Sequence, residues 1–171
     1  MKRSFGIALV FISLNFNFSA QAKVSQDFEF KGIKAGVVSD ISSIGVCAPK
    51  DSNGVVRCEG SDDKIASLPM FQKPEYKFVN GKLSNLRFIT GSMAYPILLS
   101  AFTQKYGPSC ESKVEKWQNR LGAAFDNNVV IWCFRTGKLE LRQRGLERDI
   151  LNVWYGDVAN PLPSPQVKVD F

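Results

Sequence analysis

The sequence predicts an α+β fold: antiparallel sheet built from hairpins, with two or three helices packed on one face. Three observations carry the prediction. Short runs alternate apolar and polar residues, as strands half-buried in a sheet do. Turn dipeptides such as Asn80-Gly81 and Thr136-Gly137 separate pairs of these runs. Segments with apolar residues at helical spacing fall between the hairpins.

The first residues, MKRSFGIALVFISLNFNFSAQA, stand apart from this domain. Lys2 and Arg3 precede an apolar run from Phe5 to Phe18, and Ser19-Ala20-Gln21-Ala22 supplies small residues where signal peptidase requires them. Residues 1–22 therefore read as a secretory signal peptide cleaved after Ala22, too short to span a bilayer as a helix. The cleavage site has no cysteine for lipid attachment. The expected organisation is one α+β domain over residues 23–155 and a proline-punctuated tail over 156–171. The expected location is the periplasm. The chain after Ala22 keeps 20 of the 22 basic residues and all 16 acidic ones, a net charge of +4 (20 − 16). That excess suits anionic surroundings but is too sparse for a nucleic-acid binder.

In order along the domain, FEFKGIKAG alternates Phe28 and Phe30 with charge, which suits an edge strand. VVSDISSIG places Val37, Val38, Ile41 and Ile44 at helical spacing, with Gly45 to end the helix. CAPKDSNGVVRC is a loop or hairpin turning at Ser52-Asn53-Gly54. YKFVNGKLSNLRF is the strongest hairpin signal, since Asn80 and Gly81 both tolerate the positive φ of a type I′ turn. YPILLSAFTQKYGPS reads as a helix opened by Pro96, buried through Leu98, Ala101 and Phe102, and stopped by Gly107-Pro108. SKVEKWQNRLG is expected to form a further short helix through Val114, Trp117 and Leu121. NNVVIWCFRTGKLELRQRG is a second hairpin, expected to turn at Thr136-Gly137 and to set Phe134 opposite Leu139 and Trp132 opposite Leu141. DILNVWYG adds a strand with Leu151, Val153 and Tyr155 on one side. NPLPSPQVKVDF follows, and its prolines cannot continue a ladder. The letters leave open whether the two halves are a structural repeat.

Four cysteines, Cys47, Cys58, Cys110 and Cys133, imply two disulfides in an exported chain. Three connectivities are possible. Pairing Cys47 with Cys58 and Cys110 with Cys133 closes the shortest loops. The register of the second hairpin turns Cys133 away from the core face, so a bond to Cys110 would draw chain over Val129 and Ile131.

The same residues narrow the chemistry. The chain has no histidine, which removes Ser-His-Asp and Cys-His catalysis and imidazole-ligated zinc. It has no CxxC, no P-loop and no GxGxxG. No metal site and no cofactor are expected. Paired carboxylates remain available for glycosidase chemistry, and Glu111-Ser112 resembles the Glu-Ser dipeptide of lytic transglycosylases. Arg135, Lys138, Arg142 and Arg144 fall on one face by period-2 alternation and are the candidate anion-binding residues, with a merely solvated sheet face as the rival reading. Trp117 and Trp154 are candidate sugar platforms or core aromatics.

The pattern FKGIKAG…C…C…NGKL…KYGPS…WQNRLGAAFDNNVVIW…GKLELRQRG resembles a group of small exported proteins of Gram-negative bacteria, mostly of unassigned function. The likeness is strongest from Trp117 to Gly145. The helix-then-sheet layout is also similar to the repeat folds of a small barrel-assembly lipoprotein and of a β-lactamase inhibitor, a likeness of fold alone. This chain lacks that lipoprotein's lipid-attachment cysteine, which argues against a membrane-tethered role. The expected function is a non-enzymatic periplasmic binding or envelope-maintenance protein, with an envelope protein or an anionic cell-wall or lipopolysaccharide component as partner. The alternatives are an inhibitor-like or assembly-associated protein-binding module and a carboxylate-based cell-wall glycan hydrolase or lyase.

Overall fold

The computed structural model describes residues 26–118, 121–145 and 147–159. The expected signal peptide and the prolines of the tail lie outside the described residues. In chain order the strands are β1 (Glu29–Phe30), β2 (Ile33–Lys34), β3 (Gly45–Cys47), β4 (Val55–Gly60), β5 (Lys64–Ile65), β6 (Leu68–Pro69), β7 (Gln72–Val79) and β8 (Lys82–Gly91). A 3₁₀ turn over Ser92–Ala94 leads into α1 (Tyr95–Tyr106). Then come β9 (Glu111–Gln118), β10 (Ala124–Phe134), β11 (Gly137–Arg142) and β12 (Ile150–Asp157). Eight strands form one antiparallel sheet in the order β3-β4-β7-β8-β12-β11-β10-β9. β1–β2 and β5–β6 are separate small ladders.

This architecture corrects the expected fold class. The described chain is mostly β, with a single α-helix rather than two or three. Read inward from either edge, each half of the sheet follows chain order, and the halves meet where β12 pairs antiparallel with β8. The large sheet is therefore two four-stranded meanders joined at their last strands. The second meander is preceded by α1. The first is preceded instead by the β1–β2 hairpin, whose Phe28 and Phe30 are buried in the same core as Leu98 and Phe102 of α1.

One sheet face makes the core, and strand alternation selects it. Tyr76, Phe78, Leu86, Phe88, Val130, Trp132, Phe134, Leu139, Leu141, Leu151, Val153 and Tyr155 are all buried there. Phe28 stacks on Tyr155 with ring centroids 4.0 Å apart and meets Phe134 edge-on at 5.3 Å. Trp132 meets Phe102 of α1 edge-on at 5.7 Å, and its indole N–H donates to the Gly107 carbonyl at 3.0 Å. The helix expected over 95–106 forms as read. Pro96 lies in its first turn, Leu98 and Phe102 are buried, and Gly107 (φ 82°) ends it.

Two expected helices do not form. Val37 and Val38 are exposed, Val38 bridges to Lys82, and the 37–44 segment holds no helix, only a single turn in which the Ile44 N–H donates to the Ile41 carbonyl. Gly45 is required by contact rather than as a cap: a Cβ there would lie 2.2 Å from the Glu59 carbonyl of β4. SKVEKWQ is the edge strand β9, paired to β10 from Glu111 to Gln118. Its spacing of Val114, Trp117 and Leu121 mimics a helix face, but Val114 and Leu121 are exposed and no helix core exists for them. Eight cross-strand pairs outweigh the local preference.

The FEFKGIKAG segment forms the isolated β1–β2 hairpin, turning at Lys31-Gly32, rather than an edge of the large sheet. The Asn80-Gly81 turn forms as expected, with φ of 51° and 77°. The second hairpin turns one residue earlier than expected, at Arg135-Thr136. Phe134 faces Gly137, Trp132 faces Leu139 and Val130 faces Leu141. A two-residue change in partner keeps every side chain on its predicted face. Gly137 belongs to the ladder because a Cβ there would meet the Gly156 carbonyl at 2.2 Å. Thr136 is fixed in the turn by Phe28, whose N–H donates to Oγ1, and by Tyr155, whose hydroxyl donates to its carbonyl.

Both disulfides form in the shortest-loop pairing, Cys47–Cys58 and Cys110–Cys133. Cys47 and Cys58 are direct partners across β3 and β4, and Cys110 precedes β9 while Cys133 lies in β10. Each bond clips the outer strand pair of one meander. Replacing Cys110 and Cys133 together with serine is expected to cost roughly 2–3 kcal/mol and lower the melting temperature by several degrees. Calorimetry of the variant checks it, and an unchanged melting temperature would show that β9 holds without its clip.

Candidate functional site

The two ends of the second sheet face differ. At the β9–β10–β11 end, Val129 stands in register between Lys113 and Arg142, and Ile131 between Glu111 and Glu140. Both apolar residues are buried. The charges around them form one linked set. Lys113 bridges Glu111 and Glu115 at 3.7 and 3.0 Å, and Arg142 holds Glu115 and, at 2.8 Å, Glu140. Arg142 is only 7% exposed. Burial opposes the charged form of Glu115, but hydrogen bonds from Arg142 and Lys113 outweigh it and hold its carboxyl below the usual range. Signs alternate along β9 and along β11, and the ion pairs of Glu115 with Lys113 and Arg142 and of Glu140 with Arg142 close this end on itself.

The β3–β4–β7–β8–β12 end holds a groove of about 1050 Å³. Arg57, Glu59, Glu75, Lys77, Asn85, Arg87 and Trp154 line it, with Val46 at its β3 edge. Strand register explains the lining. Glu59 lies opposite Glu75, Glu75 opposite Arg87, and Arg87 opposite Trp154. The next row brings Arg57, Lys77 and Asn85 together. The Arg87 guanidinium lies 6.0 Å from the Trp154 ring centre, at the edge of cation–π range. Lys73 approaches Glu59 at 3.5 Å. Val46 is 78% exposed, so an apolar side chain stands open beside the charges. The result is a half-buried tryptophan in a field of both signs.

The four basic residues singled out by sequence do not share one free row. Arg135 makes a bidentate pair with Asp27 at 3.0 and 2.8 Å, which holds the Asp27 carboxyl below its ordinary value. Lys138 is exposed on β11. Arg142 is buried between two carboxylates. Arg144 donates to the carbonyls of Asp126 and Arg148 and lies over Phe125 at 5.4 Å. Glu111 sits at the start of the edge strand, paired with Lys113. Trp117 packs against Phe125 and donates its N–H to the Gly145 carbonyl. Trp154, the candidate sugar platform, lines the groove together with the disulfide-bonded Cys47 and Cys58.

Its charged neighbours went unselected, although a signal exists. Arg57-x-Glu59, Glu75-x-Lys77 and Asn85-x-Arg87 repeat the same polar alternation on three successive strands. Among the described residues, no three His, Cys, Asp or Glu side chains converge as a metal site requires. No helix among them is long and apolar enough to cross a membrane. No family model, curated protein or solved structure matches this chain.

Proposed function

We propose that this protein is an exported, periplasmic, non-catalytic binding module that recognises an envelope protein through the groove around Trp154. The observation that carries the reading is the combination of an accessible tryptophan, an exposed valine and interleaved charges of both signs on one sheet face. Tryptophan and arginine are the side chains most often dominant at protein interfaces. Charges of both signs give register and selectivity toward a complementary protein surface, whereas a polyanion asks for one sign. Glu59 and Glu75 are exposed on a sheet face rather than enclosed on opposite walls of a cleft, so they suit recognition better than glycan cleavage. The disulfides and the leader sequence support export.

The test is affinity capture from the periplasm with the tagged chain, partners being identified by mass spectrometry. Trp154→Ala and Arg87→Glu are expected to reduce recovery of the specific partner at least about tenfold. Arg135→Ala, in the turn between β10 and β11 and outside the groove, is expected to leave it unchanged. Recovery that falls with Arg135→Ala and persists in both groove variants would place the binding surface elsewhere.

A further inference from the structure

The large sheet ends in two unequal edges. β3 is three residues long, a short edge of the kind that offers little to a further strand. β9 closes the other end over eight residues and, among the described residues, pairs only with β10. Every second residue of an edge strand turns its N–H and C=O outward, so β9 is a template for another strand. Glu111, Ser112, Lys113, Val114, Lys116 and Gln118 are all exposed. Val114, the apolar residue among them, is 61% exposed near the middle of the strand.

The residues of β9 fit a second copy of themselves. A two-fold dimer lays β9 antiparallel against its copy, and each contact occurs twice. Residues that face one another across a ladder share a sheet face. Odd positions of one chain therefore face odd positions of the other, and even face even. The axis can pass through Lys113, Val114 or Glu115 while most of the strand stays paired. Through Lys113 it opposes two lysines, and through Glu115 two glutamates. Through Val114 it sets Lys113 against Glu115 of the copy and Glu115 against Lys113, with Ser112 against Lys116 and Glu111 against Trp117. Opposite charges across a ladder stabilise it and like charges destabilise it, so charge selects the Val114 register.

An edge lysine ordinarily blocks such pairing. In this register neither lysine meets another: Lys113 faces a carboxylate and Lys116 a hydroxyl. Lys113 already approaches Glu115 of its own strand at 3.0 Å, and Arg142 holds the same carboxylate. The copy continues that set of charges across the axis.

We propose that two copies of this chain associate through β9, antiparallel and with Val114 facing Val114, joining two eight-stranded sheets into one. β3 and β4 lie at the other end of the sheet, so the pairing leaves the groove free and does not rest on the partner reading above.

The test places single cysteines in β9 of the full chain. The four native cysteines are bonded to one another, so the introduced thiol has no competitor. Val114→Cys is expected to give a covalent dimer on a non-reducing gel after mild oxidation, because Cα atoms facing across a ladder, about 4.5–5.5 Å apart, lie within disulfide reach. Ser112→Cys and Lys116→Cys are each expected to stay monomeric alone and to cross-link when mixed, since the register sets them face to face. Sedimentation of the unaltered chain is expected to show a monomer–dimer equilibrium. Val114→Lys sets two ammonium groups on the axis and is expected to weaken it at least about tenfold. Lys113→Glu, which opposes two carboxylates, is expected to act likewise and guards against a folding defect in the first variant. A monomer at every concentration, a dimer indifferent to both variants, or efficient cross-linking of Ser112→Cys or Lys116→Cys alone would overturn the proposal.

Discussion

Trp132→Ala is expected to remove about 4 kcal/mol of stability, a large share of what a domain of this size possesses. The indole is 1% exposed and sits on the core face between sheet and helix. Three losses add. Its buried surface returns to water and leaves a cavity. Phe102 of α1 loses the edge-on contact at 5.7 Å. The Gly107 carbonyl, at the end of α1, loses the N–H that satisfies it at 3.0 Å. Trp132→Phe is expected to cost clearly less, because it keeps most of the apolar contact and gives up only the hydrogen bond and the second ring. Urea unfolding with the disulfides intact measures both. A loss below about 1.5 kcal/mol for the alanine variant would mean that α1 is held chiefly by other contacts.

Faces were legible in the sequence, and pairings less so. Period-2 alternation alone put Trp132 and Phe134 on the core face of their hairpin and Leu151, Val153 and Tyr155 on one side of their strand, and all are buried. A face survives a two-residue error in register, which is why Trp132 was placed correctly while its partner, Leu139, was not. Thr136-Gly137 looked like the turn because glycine commonly serves turns. Here the glycine is needed where β11 meets β12, a contact between residues twenty apart in sequence.

The missed edge strand has a similar cause. SKVEKWQ carries apolar residues at helical spacing, and only the existence of β10 beside it makes the strand the better choice. The groove was the least legible feature. Its lining comes from five strands spread between Val46 and Trp154, and one half-buried tryptophan gave no indication of which charges would join it. The basic row failed to stand free for the converse reason. Alternation put Arg142 on the right face, but it could not show that Glu115 of a misread segment would be waiting there.

The same burial that builds the core should set the alkaline limit of the fold. All four tyrosines have raised pKa values, each first by burial. Tyr76 is pushed to about 12, with the Asp62 carboxylate adding to the effect, and Tyr155 is also pushed to about 12. Tyr106, whose hydroxyl donates to the Glu29 carbonyl at 2.9 Å, is raised as well. The consequence follows from proton counting. Above pH 10 the unfolded chain releases its phenolic protons while the folded chain retains them. The folded state then binds more protons, so stability falls as pH rises. The contribution is intact below pH 10 and is lost progressively between about 10 and 12. Each tyrosine that stays protonated in the fold costs roughly 1.4 kcal/mol per pH unit in this window, so Tyr76, Tyr106 and Tyr155 together cost roughly 4 kcal/mol per unit. Cooperative unfolding is therefore expected before these phenols ionise in place. Ultraviolet absorbance of tyrosinate should rise together with the loss of sheet signal in circular dichroism. Tyr155→Phe should lower the stability at neutral pH by roughly 1 kcal/mol through the lost bond to the Thr136 carbonyl, while reducing the alkaline slope by about a third. Tyrosinate absorbance with a midpoint near pH 10 in a chain that keeps its sheet signal would show that the rings are open to water, and the stacked Phe28–Tyr155 core would have to be redrawn.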